Sequence, residues 1–236
     1  MSTMTNAAMA ATNTLAEPRV KGLLDRLHGE AWGSGQILPF ARFALEMGLD
    51  RVLGRTPTSQ EESDRARDIY MCLGPDQGRL AYLLARSNGA RRIVEFGTSF
   101  GVSTIYLAAA VRDNGGGVVI GSELEPSKAA RARMHWEEAG LSDVIDLREG
   151  DALQTLRDPG GNIDVLLLDG WKELYIPVFD MLLPHLRVGS VVVADNTRMF
   201  RTSLAPYLER VRDPQSGFVS ASVPAGYDAM EVSVRL

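Results

Sequence analysis

An α/β fold with a doubly wound, mostly parallel seven-stranded sheet and helices on both faces follows from three observations on this 236-residue chain. Apolar, β-leaning runs alternate with helical patterns from Arg92 onward, which is the pattern of parallel βαβ units. Two of those runs, 165–168 and 191–194, end in polar groups, Asp169-Gly170-Trp171-Lys172 and Asp195-Asn196. The C-terminal stretch carries two strand patterns around a Pro-Ala-Gly turn, and so short a connection makes an antiparallel hairpin.

Each element has its own signal. Residues 1–16 are mostly Ala, Thr, Met and Asn and read as a disordered tail. They lack the basic start and continuous apolar stretch of a signal peptide. Residues 17–70 read as an N-terminal helical extension. Within it, Val20, Leu23, Leu24 and Leu27 recur at helical spacing over 19–32, and Pro18 suits the helix start. A second helical region covers 37–53, and Thr58 to Glu62 opens a third with capping-type residues. Residues 71–236 form the main domain, and in it Pro75 precedes a helix running to Ser87. Strands are expected at 92–96, 117–122, 145–149, 165–168 and 190–194. Helices are expected at 103–111, 127–139, 152–156, 175–186 and 204–211, with Gly189 after the fourth. Strands at 218–223 and 230–236 close the hairpin and bring the sheet to seven.

Bulk properties narrow the function classes. A net charge of −5 without a polybasic run argues against a nucleic-acid backbone as partner. Cys72 is the single cysteine, so no internal disulfide or thiolate metal cluster is available and a reducing cytoplasm fits. A lone cysteine is more often a small buried hydrophobe than a nucleophile. No apolar stretch reaches the roughly 18 residues of a membrane span, so no membrane partner is expected.

Polar residues at the carboxyl ends of central parallel strands lie where open α/β sheets bind ligands. Asp169 and Asp195 are 26 residues apart, room for one crossover helix, so adjacent strands can bring them together. With Asn196 they form an all-oxygen set suited to one Mg²⁺, Mn²⁺ or Ca²⁺ ion rather than zinc or copper. Lys172 is the candidate base beside it. The alternatives are local: Asp169 as a turn cap, Asp195-Asn196 as a turn pair, Lys172 as a solvated side chain. The loop Glu95-Phe96-Gly97-Thr98-Ser99-Phe100-Gly101-Val102-Ser103 joins the first strand to its helix, and its glycines permit close backbone approach to a ligand at a helix start. Its G-x-x-x-G spacing differs from the G-x-G-x-x-G of nicotinamide-dependent dehydrogenases, and a glycine turn needed only for packing is the plain alternative. Glu123 ends the next strand and suits two ribose hydroxyls, with Glu125 as its rival. Asp151, after the third strand, suits an adenine amino group, a helix N-cap, or both.

Together these segments resemble class I S-adenosylmethionine-dependent methyltransferases, and more narrowly the metal-dependent, catechol O-methyltransferase-like O-methyltransferases. The resemblance covers roughly residues 71–236: Met71-Cys72-Leu73-Gly74-Pro75-Asp76-Gln77-Gly78, the glycine loop, Ser122-Glu123-Leu124-Glu125-Pro126, Asp169-Gly170-Trp171-Lys172 and Ala194-Asp195-Asn196. It implies an S-adenosylmethionine-binding catalytic domain over 71–236. It implies one divalent cation, most often Mg²⁺, on Asp169, Asp195 and Asn196, with Lys172 as general base. Glu95, Gly97, Thr98, Ser99, Gly101 and Ser103 form the cofactor loop, Gly97 and Ser103 at its methionine end, with Met71 and Leu73 above. Glu123 holds the ribose. Asp151, Ala152 and Trp171 border the adenine or the substrate mouth, beside Asp169.

The implied reaction is methyl transfer to a hydroxyl of a small catechol-like or phenolic substrate. Two departures stand out: Gly170 stands where catechol O-methyltransferase has a histidine, which bears on the adenine side, and residues 220–227 offer no glutamate for a second catechol hydroxyl, with Asp228 and Glu231 nearby but not aligned to that role. The region before the core is expected to act as lid or dimer contact, which leaves room for a homodimer. Trp32, Ile37, Phe40 and Phe43 are the residues for it, with core packing as the alternative. A binding protein of this fold without turnover, and a nicotinamide-dependent dehydrogenase, are the rival classes.

Overall fold

The computed structural model describes residues 13–236, so residues 1–12 of the expected tail lie outside the described part. The remainder of that tail differs from expectation. Thr14–Ala16 form a 3-10 turn, and Thr14 bonds Asp113 through its amide and through its hydroxyl, the latter at 2.6 Å. Thr14 is itself buried, and these bonds to the half-buried Asp113 carboxylate hold the turn in place.

Among the described residues four α-helices precede the first strand: α1 (Pro18–Ala31), α2 (Ile37–Val52), α3 (Ser59–Arg65) and α4 (Pro75–Ser87). The start of α3 is a reciprocal capping box: Thr58 Oγ1 accepts from the Glu61 amide at 3.2 Å, and Glu61 accepts from the Thr58 amide at 2.9 Å. Then follow β1 (Arg92–Phe96), α5 (Val102–Asp113), β2 (Val118–Glu123), α6 (Pro126–Ala139), β3 (Ile145–Glu149), α7 (Ala152–Thr155), β4 (Ile163–Leu168), α8 (Tyr175–Leu182), β5 (Leu186–Ala194), α9 (Ala205–Arg212), β6 (Phe218–Ala225) and β7 (Asp228–Arg235).

The seven strands run in the order β3-β2-β1-β4-β5-β7-β6, parallel except for the β5–β7 and β7–β6 pairs. Strand order reverses between β1 and β4, so the loops leaving these strands part there and open a crevice. Strand alternation divides the core between the faces. Ile93, Val165, Leu167, Val191 and Val193 pack with α1, α4, α5 and α6. Val94, Phe96, Leu166, Leu168, Val192 and Ala194 pack with α8 and α9. Burial on both faces explains why β4 and β5 read as unbroken apolar runs.

The departures from the sequence reading that matter most lie around β5 and at the C-terminal turn. The helix expected over 175–186 stops at Leu182; one 3-10 turn, Leu183–His185, follows, and β5 begins at Leu186 and runs through Gly189. Pro184 has no amide to continue the helix. The C-terminal turn is Gly226-Tyr227 rather than Pro-Ala-Gly, since Ala225 pairs with Asp228. Gly226 has φ +60°, as a two-residue hairpin loop requires, and Pro224 is tolerated because β6 is an edge strand. Of the N-terminal aromatic and aliphatic set, Phe43 packs on Ala66 and Ile69, whereas Trp32, Ile37 and Phe40 are exposed.

Candidate active site

The crevice is built from the β1–α5 loop on one side and the ends of β4 and β5 on the other. Gly97 (φ +96°), Ser99 (φ +50°) and Gly101 (φ +77°) fold the loop tightly. A Cβ on Gly97 would lie 2.6 Å from the carbonyl oxygen of Asp169, so the loop rests directly on the backbone that carries the first aspartate. The Gly101 end abuts the Trp136 indole, whose Nε1 donates to the Gly101 carbonyl at 3.1 Å, while His135 Nδ1 donates to that of Phe100 at 2.9 Å. No side chain caps α5, which leaves amides of its first turn free at the crevice. Beneath the loop Glu95 is fully buried and accepts from Thr98 (3.1 Å) and Thr104 (2.6 Å), while its Oε1 has no partner. Burial holds its carboxyl above the usual carboxylate range. Ser103 is buried beside it, and the buried Ser99 hydroxyl is unpartnered. Glu123, at the end of β2, accepts from the amides of Ser99 (2.6 Å) and Glu125 (2.8 Å), so the residue expected to hold a ribose also fixes the loop.

Register brings the two acidic motifs together. Leu168 pairs with Ala194 across β4 and β5, and the Asp195 amide donates to the Leu168 carbonyl at 3.0 Å. Asp169 and Asp195 therefore leave adjacent strands at the same level. Burial, and then the charge of Asp195, push the Asp169 carboxyl well up. Asp195 is pushed up to about 6, chiefly by burial. Asn196 follows with φ +62°, a conformation asparagine tolerates better than most residues. Asp228 takes the amides of Arg198 (3.0 Å) and Met199 (3.1 Å) and so fixes the turn beyond Asn196.

Lys172 reaches back into this cluster. Its Nζ donates to the Gly170 carbonyl and the Tyr175 hydroxyl, both at 3.0 Å, and lies 3.8 Å from Asp169 Oδ1. Burial pulls its ammonium down and favours the neutral amine, while Asp169 and Asp195 oppose that shift. Two carboxylates of like charge at adjacent strand ends, Asp195 buried and Asp169 largely so, suit one hard divalent cation. Among the described residues no three His, Cys, Asp or Glu side chains gather as a metal centre; Asn196, next to Asp195 in sequence, is the expected third oxygen donor.

Other expected residues make local contacts of their own. Asp151 is exposed and caps α7 through the Leu153 amide at 2.9 Å. Ala152 and Leu73 are buried in the two core clusters, so their side chains are committed to packing. Met71 and Trp171 pack against Phe43, Ala66 and Ile69, which joins the N-terminal helices to the lysine-bearing turn. Cys72 is pushed up to about 12 by burial and by Asp169, which suits a packing thiol and not a nucleophile.

Sequence reasoning gave no role to Gln77 or Tyr175, and it noted Asp228 without one. Gln77 stands on the buried stripe of α4 with Ala81 and Ala85, and a polar residue on an apolar stripe was the signal for it. Nothing in the sequence marked the hydroxyl of Tyr175, which belongs to the apolar stripe of α8.

Comparison with known proteins agrees with this geometry. Residues 94–197 match the family model described as a methyltransferase domain. A catechol O-methyltransferase of Mycobacterium tuberculosis is 35% identical over 135 residues, 57% of this chain and 60% of that protein. One of Niastella koreensis is 34% identical over 128 residues, 52% of this chain and 57% of that protein. The chain thus spans less than two thirds of these curated relatives. Among solved structures, the O-methyltransferase TomG of Streptomyces achromogenes, in complex with SAM (S-adenosylmethionine), aligns with a TM-score of 0.65 and 26% identity over 81% of this chain and 96% of that one. The O-methyltransferase of Bacillus cereus in complex with SAH (S-adenosylhomocysteine) aligns with a TM-score of 0.65 and 25% identity over 84% and 100%. Sheet order, glycine loop and sequence likeness agree: residues 94–197 match a methyltransferase domain, and the chain is similar to S-adenosylmethionine-dependent O-methyltransferases.

Proposed function

We propose that the protein transfers the methyl group of S-adenosylmethionine to a hydroxyl of a small catechol-like or phenolic substrate, with a divalent cation, most often Mg²⁺, held by Asp169, Asp195 and Asn196. The observation that carries this reading is the buried Asp169–Lys172–Asp195 cluster beside the Gly97 loop. In this reading the cation favours the deprotonated hydroxyl and the sulfonium supplies an activated methyl group. The remaining work falls to the protein, and it is mostly positioning. Glu123 and the loop from Gly97 to Ser103 hold the cofactor against the ends of β1 and β4.

Lys172 takes the proton from the attacking hydroxyl at Nζ. A neutral lysine has two N–H groups and one lone pair. The Gly170 carbonyl and the Tyr175 hydroxyl use both N–H groups, because Tyr175 sends its own proton to the Asp195 carbonyl at 3.2 Å. The lone pair is then left to accept the proton, and burial favours that neutral form.

Residues 71–236 are, on this proposal, the catalytic domain, and residues 17–70 its cover. No helix among the described residues is long and apolar enough to cross a membrane. A cytoplasmic location accords with a cysteine kept as a thiol. On α2, Ile37, Leu38, Phe40, Leu45 and Leu49 are all exposed, and this apolar face supports a homodimer.

The test is methyl transfer to a panel of catechols and simple phenols with Mg²⁺ or with EDTA. Metal-dependent methylation is expected. Activity that survives complete metal removal would leave the carboxylates structural. Cofactor binding without turnover on any phenol would favour a binding protein, and thermal stabilisation by NAD but not by S-adenosylmethionine would overturn the assignment.

A further inference from the structure

We infer that Gln77 is a positioning residue for the cation site: it holds one oxygen of Asp195 so that the other is presented to the metal. The inference rests on the metal reading given above.

Gln77 is fully buried in the first turn of α4, far in sequence from β5, and its side chain bridges the two. The Gly74 amide donates to its Oε1 at 2.8 Å. That bond fixes which end of the amide is which, and the NH₂ group therefore faces Asp195, donating to Oδ1 at 2.5 Å. Among the described residues Gln77 is the only side chain hydrogen-bonded to the Asp195 carboxylate. An aspartate rotates about two side-chain bonds. The backbone of Asp195 is fixed by the β4 register and by Tyr175, and Gln77 fixes what remains.

The choice of residue fits the task. A neutral donor orients a carboxylate without cancelling its charge, whereas a lysine or arginine there would compete with a divalent cation for it. Supporting donors of this kind typically contribute about 10–100-fold to metal affinity. The same side chain ties the Met71–Gly74 segment, which the family resemblance places over the cofactor, to the metal carboxylate. Gln77 thus joins the two halves of the site.

The experiment is Mn²⁺ binding to the full chain, without S-adenosylmethionine or substrate. It is followed by calorimetry and by the loss of the free-ion electron paramagnetic resonance signal, in wild type, Gln77→Met and Gln77→Ala. Methionine keeps the length of the side chain and removes the donor. Alanine removes both without overpacking. Melting of the metal-free proteins, read alongside, separates a purely structural role. The expected result is one Mn²⁺ per wild-type chain and a Kd raised about tenfold or more in both variants. Variants that melt lower but keep the wild-type Kd, or that both fail to fold, would assign Gln77 to the framework and overturn the inference. A wild type that takes up no Mn²⁺ would overturn the metal reading and this inference with it, an outcome distinct from an unchanged Kd.

Discussion

Replacing Gly97 by alanine tests whether the cofactor loop is seated on the first acidic motif or merely near it. Two costs add at this position. The first is conformational: Gly97 has φ +96°, where a Cβ costs about 1–2 kcal/mol. The second is steric. The new Cβ would lie 2.6 Å from the Asp169 oxygen, 2.6 Å from the Gly170 nitrogen and 2.7 Å from the Asp169 carbonyl carbon. All three are backbone atoms at the end of β4, so no side chain can swing aside. The loop or the strand end must move by several tenths of an ångström, an overpacking cost of about 1–3 kcal/mol. Gly115 supplies the control, with φ +87° and no atom within 4 Å of its Cβ, so Gly115→Ala carries only the first cost. Gly97→Ala is expected to lose about 2–5 kcal/mol against about 1–2 for Gly115→Ala. For a chain of this size that is a Tm drop of roughly 5–15 °C against a few degrees. The displacement also falls on the cofactor cradle, so the calorimetric Kd for S-adenosylhomocysteine should weaken at least tenfold in Gly97→Ala and stay unchanged in Gly115→Ala. Equal melting and equal affinity for the two variants would refute the seating argument.

Lys172→Met should lower kcat by about 10²–10⁴ while leaving S-adenosylhomocysteine affinity within twofold, since the lost group moves a proton and does not hold the cofactor; calorimetry beside single-turnover kinetics checks both halves. Arg212→Met strips the bidentate partner from fully buried Glu231 and should destabilise the protein by about 3 kcal/mol in urea melts. Glu62 is half-buried at the packing of α3, and burial together with Glu173 raises its carboxyl from 4.5 to about 7. Folded and unfolded chains both keep it neutral below 4.5, the penalty grows as pH rises to about 7, and it is constant above. Glu62→Gln should therefore stabilise the protein at pH 8, by about 1 kcal/mol after allowing for its partial exposure, and by almost nothing at pH 4; equal effects at the two pH values would refute the assignment. If α2 carries a homodimer contact, Leu45→Glu should shift the light-scattering mass to that of a monomer.

The parts of the site that were legible share one property: their chemistry and their position are written in the same few residues. Asp169 and Asp195 each follow a short apolar run that reads as a buried strand and is one in the structure, so residue type and location arrive together. The glycine loop is similar, since its spacing marks both the turn and the opening it makes. Where the reading fell short, the deciding contact was distant in sequence. Asp151 makes the cap that was one of the two roles read for it, but nothing local told that Leu73 and Ala152 turn their side chains into the core. The end of α8 failed for a smaller reason, because apolar periodicity outweighed the single proline that stops it. Gln77 and Tyr175 are the instructive misses. Each lies on an apolar stripe and would pass as packing, yet each places a polar tip on the backbone or carboxylate of Asp195. A buried polar tip must find a partner. In a helix that covers the carboxyl ends of a parallel sheet, the available partners are the residues gathered there. An uncharged polar residue on such a stripe is therefore itself a signal of the site, and reading it requires knowing which face of the sheet the helix covers, which the fold supplies.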